Sequence, residues 1–306
     1  MTADGAAGRP PVWDGYCADP FVFRDGDRYV MYGTTPEPLD GRAFQTLHST
    51  DLVTWTPADG ALEPVPGAAP GTEYWAPEVV AADGTYWMYY SAGPGDAGHH
   101  LRVATAIDPA GPFHDLGIDL TPELPFAIDP SPFRDDDGSW WLYFATDFLY
   151  GDRPGTVVAV APLTAMTALG EHRIVLTATA DWQRYQANRP MYGANYDWHT
   201  LEGPHVVRHD NRYWMFYSGG DWHSEGYGVA VAVAERPAGP WTPQWEGPTF
   251  LSTAASGLIG PGHNSAFVDH DGSCIVAFHS WNAERTIRRP HLAATSWTPD
   301  GPALLT

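Results

Sequence analysis

The chain has 306 residues and is rich in tryptophan (14), tyrosine (15), glycine (32) and proline (29), with 37 acidic residues set against 16 arginines and no lysine. A net charge of −21 argues against nucleic acid or an anionic membrane as partner, because both need a basic surface, and it fits a neutral one. No stretch is apolar enough to span a bilayer, and abundant aromatics, glycine and proline suit short strands joined by tight turns.

Met1 to Pro10 lacks the charged and apolar regions of a secretory signal. The expectation is therefore a cytoplasmic protein, with secretion as the alternative where a signal has been removed. Cys17 and Cys274 are too few for a disulfide framework. They read as two buried thiols, with a bridge between the first and last repeats as the alternative.

In chain order, the first element is a hairpin. Asp19–Pro20–Phe21–Val22–Phe23 leads to a turn at Asp25–Gly26 and returns through Tyr29–Val30–Met31–Tyr32. The chain repeats it. Ala76–Pro77 opens a second copy that turns at Asp83–Gly84 and returns through Tyr86–Trp87–Met88–Tyr89. Asp129–Pro130 opens a third, returning through Trp140–Trp141–Leu142–Tyr143, and Gly203–Pro204 a fourth, returning through Tyr213–Trp214–Met215–Phe216. His263–Asn264 opens a fifth, with its turn at Asp271–Gly272. Copies one, two and four take ten residues from opening to return aromatic, and copies three and five take one more.

A long repeat made of strands and turns is the signature of a propeller, one copy per blade. The expected fold is all-β: a five-bladed β-propeller with blades of four antiparallel strands, forming a single catalytic domain over 1–306. The blades fall at roughly 14–71, 72–125, 126–200, 201–258 and 259–306. No amphipathic run is long enough for a helix, and Ala165 to Leu169 is at most one helical turn. Within blade one, Leu47 to Trp55 reads as an outer strand ending in a turn where Asp51 bonds backbone and Trp55 packs between blades. Between blades three and four lies an insertion, Asp181 to Thr200, carrying Trp182, Tyr185, Tyr192, Tyr196 and Trp198. It is either a binding lip on a rigid scaffold or a self-packed cover for a blade edge.

The first strand of each propeller blade is innermost, so the five opening residues converge at one end of the axis. They are Asp19, Ala76, Asp129, Gly203 (preceded by Glu202) and His263. Three blades thus aim a carboxylate at one small space. Burying like charges is costly, and such clusters mark places where proton transfer is wanted. A structural calcium site is the alternative. Two carboxylates flanking a bond, one protonated and one ionised, are the machinery of glycoside hydrolysis.

The segments Ala18–Asp19–Pro20, Trp75–Ala76–Pro77–Glu78–Val79, Ile128–Asp129–Pro130–Ser131–Pro132–Phe133, Glu202–Gly203–Pro204–His205 and Gly260–Pro261–Gly262–His263–Asn264–Ser265 resemble glycoside hydrolase family 43 over essentially the whole chain. The resemblance implies an enzyme that cleaves with inversion. Asp19 would be the base that activates water, Glu202 the acid that protonates the leaving oxygen, and Asp129 the residue that tunes and orients Glu202. Inversion asks for working carboxyls about 6.5–9.5 Å apart.

By the same resemblance, His263 would ligate an axial calcium ion or order water there, or else be a core histidine; no cofactor is required. Trp75 would stack on the sugar or pack between blades. Ser131, His205 and His279 would join the substrate wall, and Arg288 would bind sugar, although Arg289 beside it is a second candidate. Glu78 would point into its blade. The implied substrate is a small oligosaccharide, with an exo-acting α-L-arabinofuranosidase as the leading reading and a β-xylosidase or bifunctional enzyme as the runner-up. Family 32 propellers need an asparagine-rich nucleophile motif that Tyr16 to Val22 lacks. A non-catalytic sugar-binding or protein-binding propeller has no use for three axial acids.

Overall fold

The computed structural model describes residues 10–95 and 98–305; nine of the ten N-terminal residues weighed as a targeting signal lie outside them. The chain folds as a five-bladed β-propeller. Blade one is a four-stranded sheet of Ala18–Asp25, Arg28–Thr34, Gln45–Ser49 and Thr56–Ala58, hydrogen-bonded in chain order. Glu73–Ala82, Thr85–Gly93, His100–Ala106 and His114–Asp119 repeat that order, as do Ile259–Val268, Cys274–Trp281, Arg288–Thr298 and Gly301–Leu304. The sheets that begin at Ala127–Arg134 and Ala194–His209 are fused into one, because Gly155 and Thr156 pair in parallel with His199 and Thr200. The five first strands contact one another in a closed ring around the axis.

Alternation along the second strands explains why the blades pack as they do. In a strand, neighbouring side chains face opposite sides. Val30 and Tyr32 therefore meet Val79, Met88 and Tyr90 of blade two, while Tyr29 and Met31 face back toward Ala277 of blade five. Tyr89 packs with Leu142 and Phe144, and Tyr143 with Met215 and Tyr217. Trp214 and Phe216 pack with Val276 and Phe278. Each seam thus has its own aromatic core, and at about 1.5–3 kcal/mol per buried large side chain the seams hold the ring closed. The hairpin turns follow their residues: Asp83 (φ 52°) and Gly84 (φ 74°) are both left-handed, as a two-residue primed turn requires.

Two local expectations change. Ala165 to Leu169 forms no helical turn; it ends one strand and reverses into the short strand Ala168–Leu169. A single helical turn instead occupies Thr253–Ser256, where the Ser252 hydroxyl accepts the Ala255 N–H and Gly257, at φ 72°, ends it. The Asp51 turn forms as expected, with the carboxylate accepting the Val53 and Thr54 N–H groups and Trp55 buried. Cys17 and Cys274 are buried free thiols. Among the described residues, no helix is long and apolar enough to cross a membrane.

Candidate active site

All five opening residues share one unusual backbone state. Asp19 (φ 52°), Ala76 (48°), Asp129 (58°), Gly203 (54°) and His263 (47°) are left-handed. Strand pairing slips by a bulge at each of them. Such a bulge re-aims the side chain, and holding a non-glycine residue there costs about 1–2 kcal/mol. Several of the re-aimed N–H groups are caught by a neighbouring blade. Asp19 N–H donates to His279 Nδ1 (3.0 Å), Ala76 N–H to Thr34 Oγ1 (2.9 Å), Gly203 N–H to Asp129 Oδ2 (2.8 Å) and His263 N–H to Ser218 Oγ (2.8 Å). In blade four a Cβ on Gly203 would come within 3.3 Å of the His263 ring. The acid of that blade stands one residue earlier, at Glu202.

At one end of the axis lies a cavity of about 350 Å3, which Asp19, Asp129, Glu202, His263, Trp75 and Arg288 all line. That volume suits one small ligand. Asp19 is buried, which raises its pKa, but the positive charges of His263 and Arg288 outweigh burial and hold the carboxyl well below the usual range. Its Oδ1 lies 3.4 Å from His263 Nδ1 and 3.4 Å from Arg288 Nη1. His279 Nδ1 is equally near, yet it accepts the Asp19 amide, and burial beside Arg288 pushes this histidine well below its ordinary pKa. It is neutral, and the contact is no ion pair.

Glu202 behaves oppositely. Burial, then the charge of Asp129, push it up to about 7, against the opposing effects of the Tyr227 hydroxyl and His263. Tyr227 Oη donates to Glu202 Oε1 at 2.7 Å, leaving the other oxygen to carry a proton. Asp129 is raised to about 6 by burial and by Asp19, with His263 and the Gly203 N–H opposing. His263 is pushed up by these carboxylates despite its burial.

Of the two neighbouring arginines, Arg288 is the one that enters the site. It donates to Tyr16 Oη at 3.0 Å and lies 4.7 Å from the Trp222 ring and 5.6 Å from Trp281. Arg289 turns outward to Asp14. Trp75 lines the cavity, backed by His99 at a ring distance of 3.7 Å. Burial lowers the His99 pKa to about 4, so the backing ring is neutral.

Three expected pocket residues do not line the cavity. His279 lies behind Asp19, as described. Ser131 and His205 form a buried layer with Glu78, which crosses between blades instead of pointing into its own. Ser131 Oγ donates to Glu78 Oε2 (2.9 Å), and His205 Nδ1 lies 3.0 Å from Glu78 Oε1. His205 Nε2 lies 3.0 Å from the Ala266 carbonyl, an acceptor only, so Nε2 carries the proton of that contact.

The Asp181 to Thr200 insertion both reaches the cavity and packs on itself. Arg184–Met191 and the start of Ala194–His209 form a hairpin that brings Tyr185, Arg189 and Met191 to the cavity wall. Trp198 is fully buried beneath it. Sequence reasoning missed Tyr227, Trp222 and Asp147, which lie outside the opening segments. Tyr16, three residues before Asp19, was close enough to find.

A raised carboxyl facing a strongly ionised one, in a sugar-sized pocket on a propeller axis, is the apparatus of a glycoside hydrolase. The profile of the glycosyl hydrolases family 43 matches residues 9–303, and the chain belongs to this family of inverting enzymes. The chain is 29% identical to the beta-D-galactofuranosidase xynD of Aspergillus niger, over 94% of this chain and 80% of that protein. It is 25% identical to the extracellular exo-alpha-(1->5)-L-arabinofuranosidase of Streptomyces avermitilis, over 93% of this chain but only 60% of that protein. A thermostable family-43 glycoside hydrolase of solved structure superimposes with a TM-score of 0.83, covering 97% of this chain and 95% of its own, at 27% identity.

Proposed function

We propose that this glycoside hydrolase is an exo-acting α-L-arabinofuranosidase that releases arabinose from the ends of arabino-oligosaccharides or decorated hemicellulose. The observation that carries the mechanism is the opposed ionisation of Asp19 and Glu202 in one cavity. Asp19, ionised at neutral pH, takes a proton from the attacking water. Glu202, protonated, gives its proton to the leaving oxygen. Asp129 holds the Gly203 amide and by its charge keeps Glu202 protonated. Arg288 fixes Asp19 and faces the sugar, and Trp75 offers it an aromatic face.

Exo action is supported by the wall. Thr34 to Pro38, Thr72 to Trp75, the 184–194 hairpin and Trp222 rise around the cavity from different blades, which suits a chain end better than a chain passing through. The furanose preference rests on the two relatives, whose names specify five-membered sugar rings. The name of the Streptomyces protein also favours the secreted alternative over a cytoplasmic location.

We read His263 as an electrostatic partner of the carboxylates.

The test is hydrolysis of aryl α-L-arabinofuranoside, β-D-galactofuranoside and β-D-xylopyranoside by wild type and by Asp19→Asn. Arabinoside cleavage that falls by a factor of about 10²–10⁴ in the variant is expected. Cleavage of the xyloside or galactofuranoside alone keeps the mechanism and replaces the substrate. An Asp19→Asn enzyme as active as wild type overturns the acid–base assignment.

A further inference from the structure

Beyond the three axial acids, Glu73 and Asp147 also line the cavity, and Asp147 takes no part in the chemistry above. Asp147 is the last residue but one of the strand Trp140–Phe148 and is half-buried. It pairs across the sheet with Thr156, which pairs in turn with Thr200, and Glu202 follows two residues later along the same strand. All four line the same cavity. Strands lie about 4.8 Å apart, so the row runs sideways from the strand of Glu202 by roughly 10 Å at Asp147, about the reach of one further sugar ring.

The fused sheet makes this row, and the insertion hairpin completes it. Thr156 Oγ1 donates to Asp147 Oδ1 at 3.0 Å, and Tyr192 Oη, at the hairpin tip, donates to Oδ2 at 2.7 Å. Trp198 Nε1 donates to Thr156 Oγ1 at 3.3 Å, and the Tyr192 ring stacks on Trp198. Arg189 lies over Tyr185 at 4.9 Å and over Trp198 at 5.4 Å, with Tyr185 and Arg189 both facing the cavity. The Asp147 carboxylate is thus held rigidly from two sides, and each oxygen keeps acceptor capacity.

We propose that Asp147, with Tyr185 and Arg189 of the hairpin, forms a leaving-group subsite that binds the hydroxyls of a second sugar ring. The inference rests on Glu202 being the general acid. A group that protonates the leaving oxygen stands on the leaving-group side, and Asp147 shares its wall. The carboxylate accepts hydrogen bonds from sugar hydroxyls, Arg189 donates to them, and Tyr185 presents an aromatic face. An aryl leaving group uses none of the hydroxyl contacts. The subsite therefore selects saccharide over aryl leaving groups.

The experiment compares kcat/KM on a disaccharide and on a nitrophenyl glycoside carrying the same terminal sugar, for wild type, Asp147→Ala and Asp147→Asn. The expected result is a ten- to hundredfold fall in the disaccharide-to-aryl ratio in Asp147→Ala, with a smaller fall in Asp147→Asn. The ratio does not depend on how much of a preparation is folded. Arg189→Ala, on the outer hairpin, is the second variant and lowers the ratio in the same direction. A ratio that stays at the wild-type value in the Asp147 and Arg189 variants overturns the subsite. A wild type that cleaves neither substrate overturns the parent glycosidase reading, a distinct result.

Discussion

Replacing Asp129 by asparagine isolates what its charge does to Glu202. The amide oxygen of the new side chain still accepts the Gly203 N–H, now made to Asp129 Oδ2 at 2.8 Å, so the backbone at the acid is preserved. What disappears is a buried negative charge next to a carboxyl that it helps to raise to about 7. At an effective dielectric near 20, unit charges some 4–8 Å apart interact by about 2–4 kcal/mol. Each 1.36 kcal/mol is about one pKa unit. His263, 3.9 Å from Asp129 and 3.4 Å from Asp19, loses one of its carboxylate partners and gives up some charge, which offsets part of the gain. The net expectation is that the basic limb of the kcat profile moves down by at least about one pH unit. The direction follows from Glu202 having to be protonated to work: without Asp129 it gives up its proton at lower pH. The assay is a pH–rate profile on an oligosaccharide, whose poor leaving group needs the acid. A basic limb that stays in place while kcat drops refutes the electrostatic role and leaves Asp129 as a purely geometric anchor.

The converse shift is expected from Tyr227→Phe. The lost hydroxyl favoured the ionised form of Glu202, so the basic limb should move to higher pH; a move in the same direction as Asp129→Asn would contradict the assignment. Gly203→Ala tests the axial bulge. Its φ of 54° costs an alanine about 1–2 kcal/mol, and the new Cβ presses on the His263 ring at 3.3 Å, so both the melting temperature and the activity should fall. An alanine variant as stable and active as wild type would mean that the bulge relaxes freely.

Much of this architecture is written in local chemistry. A strand's side chains alternate with period two whatever surrounds it, and Asp-Gly turns reverse the chain within two residues. The five hairpins, their number and the residues at their openings are therefore legible in the amino-acid sequence alone. The axial acids follow because a ring of first strands brings equivalent positions to one place. The choice of Arg288 over Arg289 is not legible in the same way. Neighbouring strand residues face opposite ways, and which way is decided by the sheet's register, Trp281 pairing with Arg288 and Ser280 with Arg289. Ser131 and His205 sit two residues past their opening positions, yet the bulge drops them a layer below the pocket, onto Glu78 from another blade. Asp147 and Tyr227 have no repeat to mark them. Asp147 faces the cavity only because two blades fuse through Thr156 and Thr200, and Tyr227 meets Glu202 only because a loop of blade four folds back. Sequence determines what lies on each strand; closure of the ring and pairing between distant strands decide which of those groups meet.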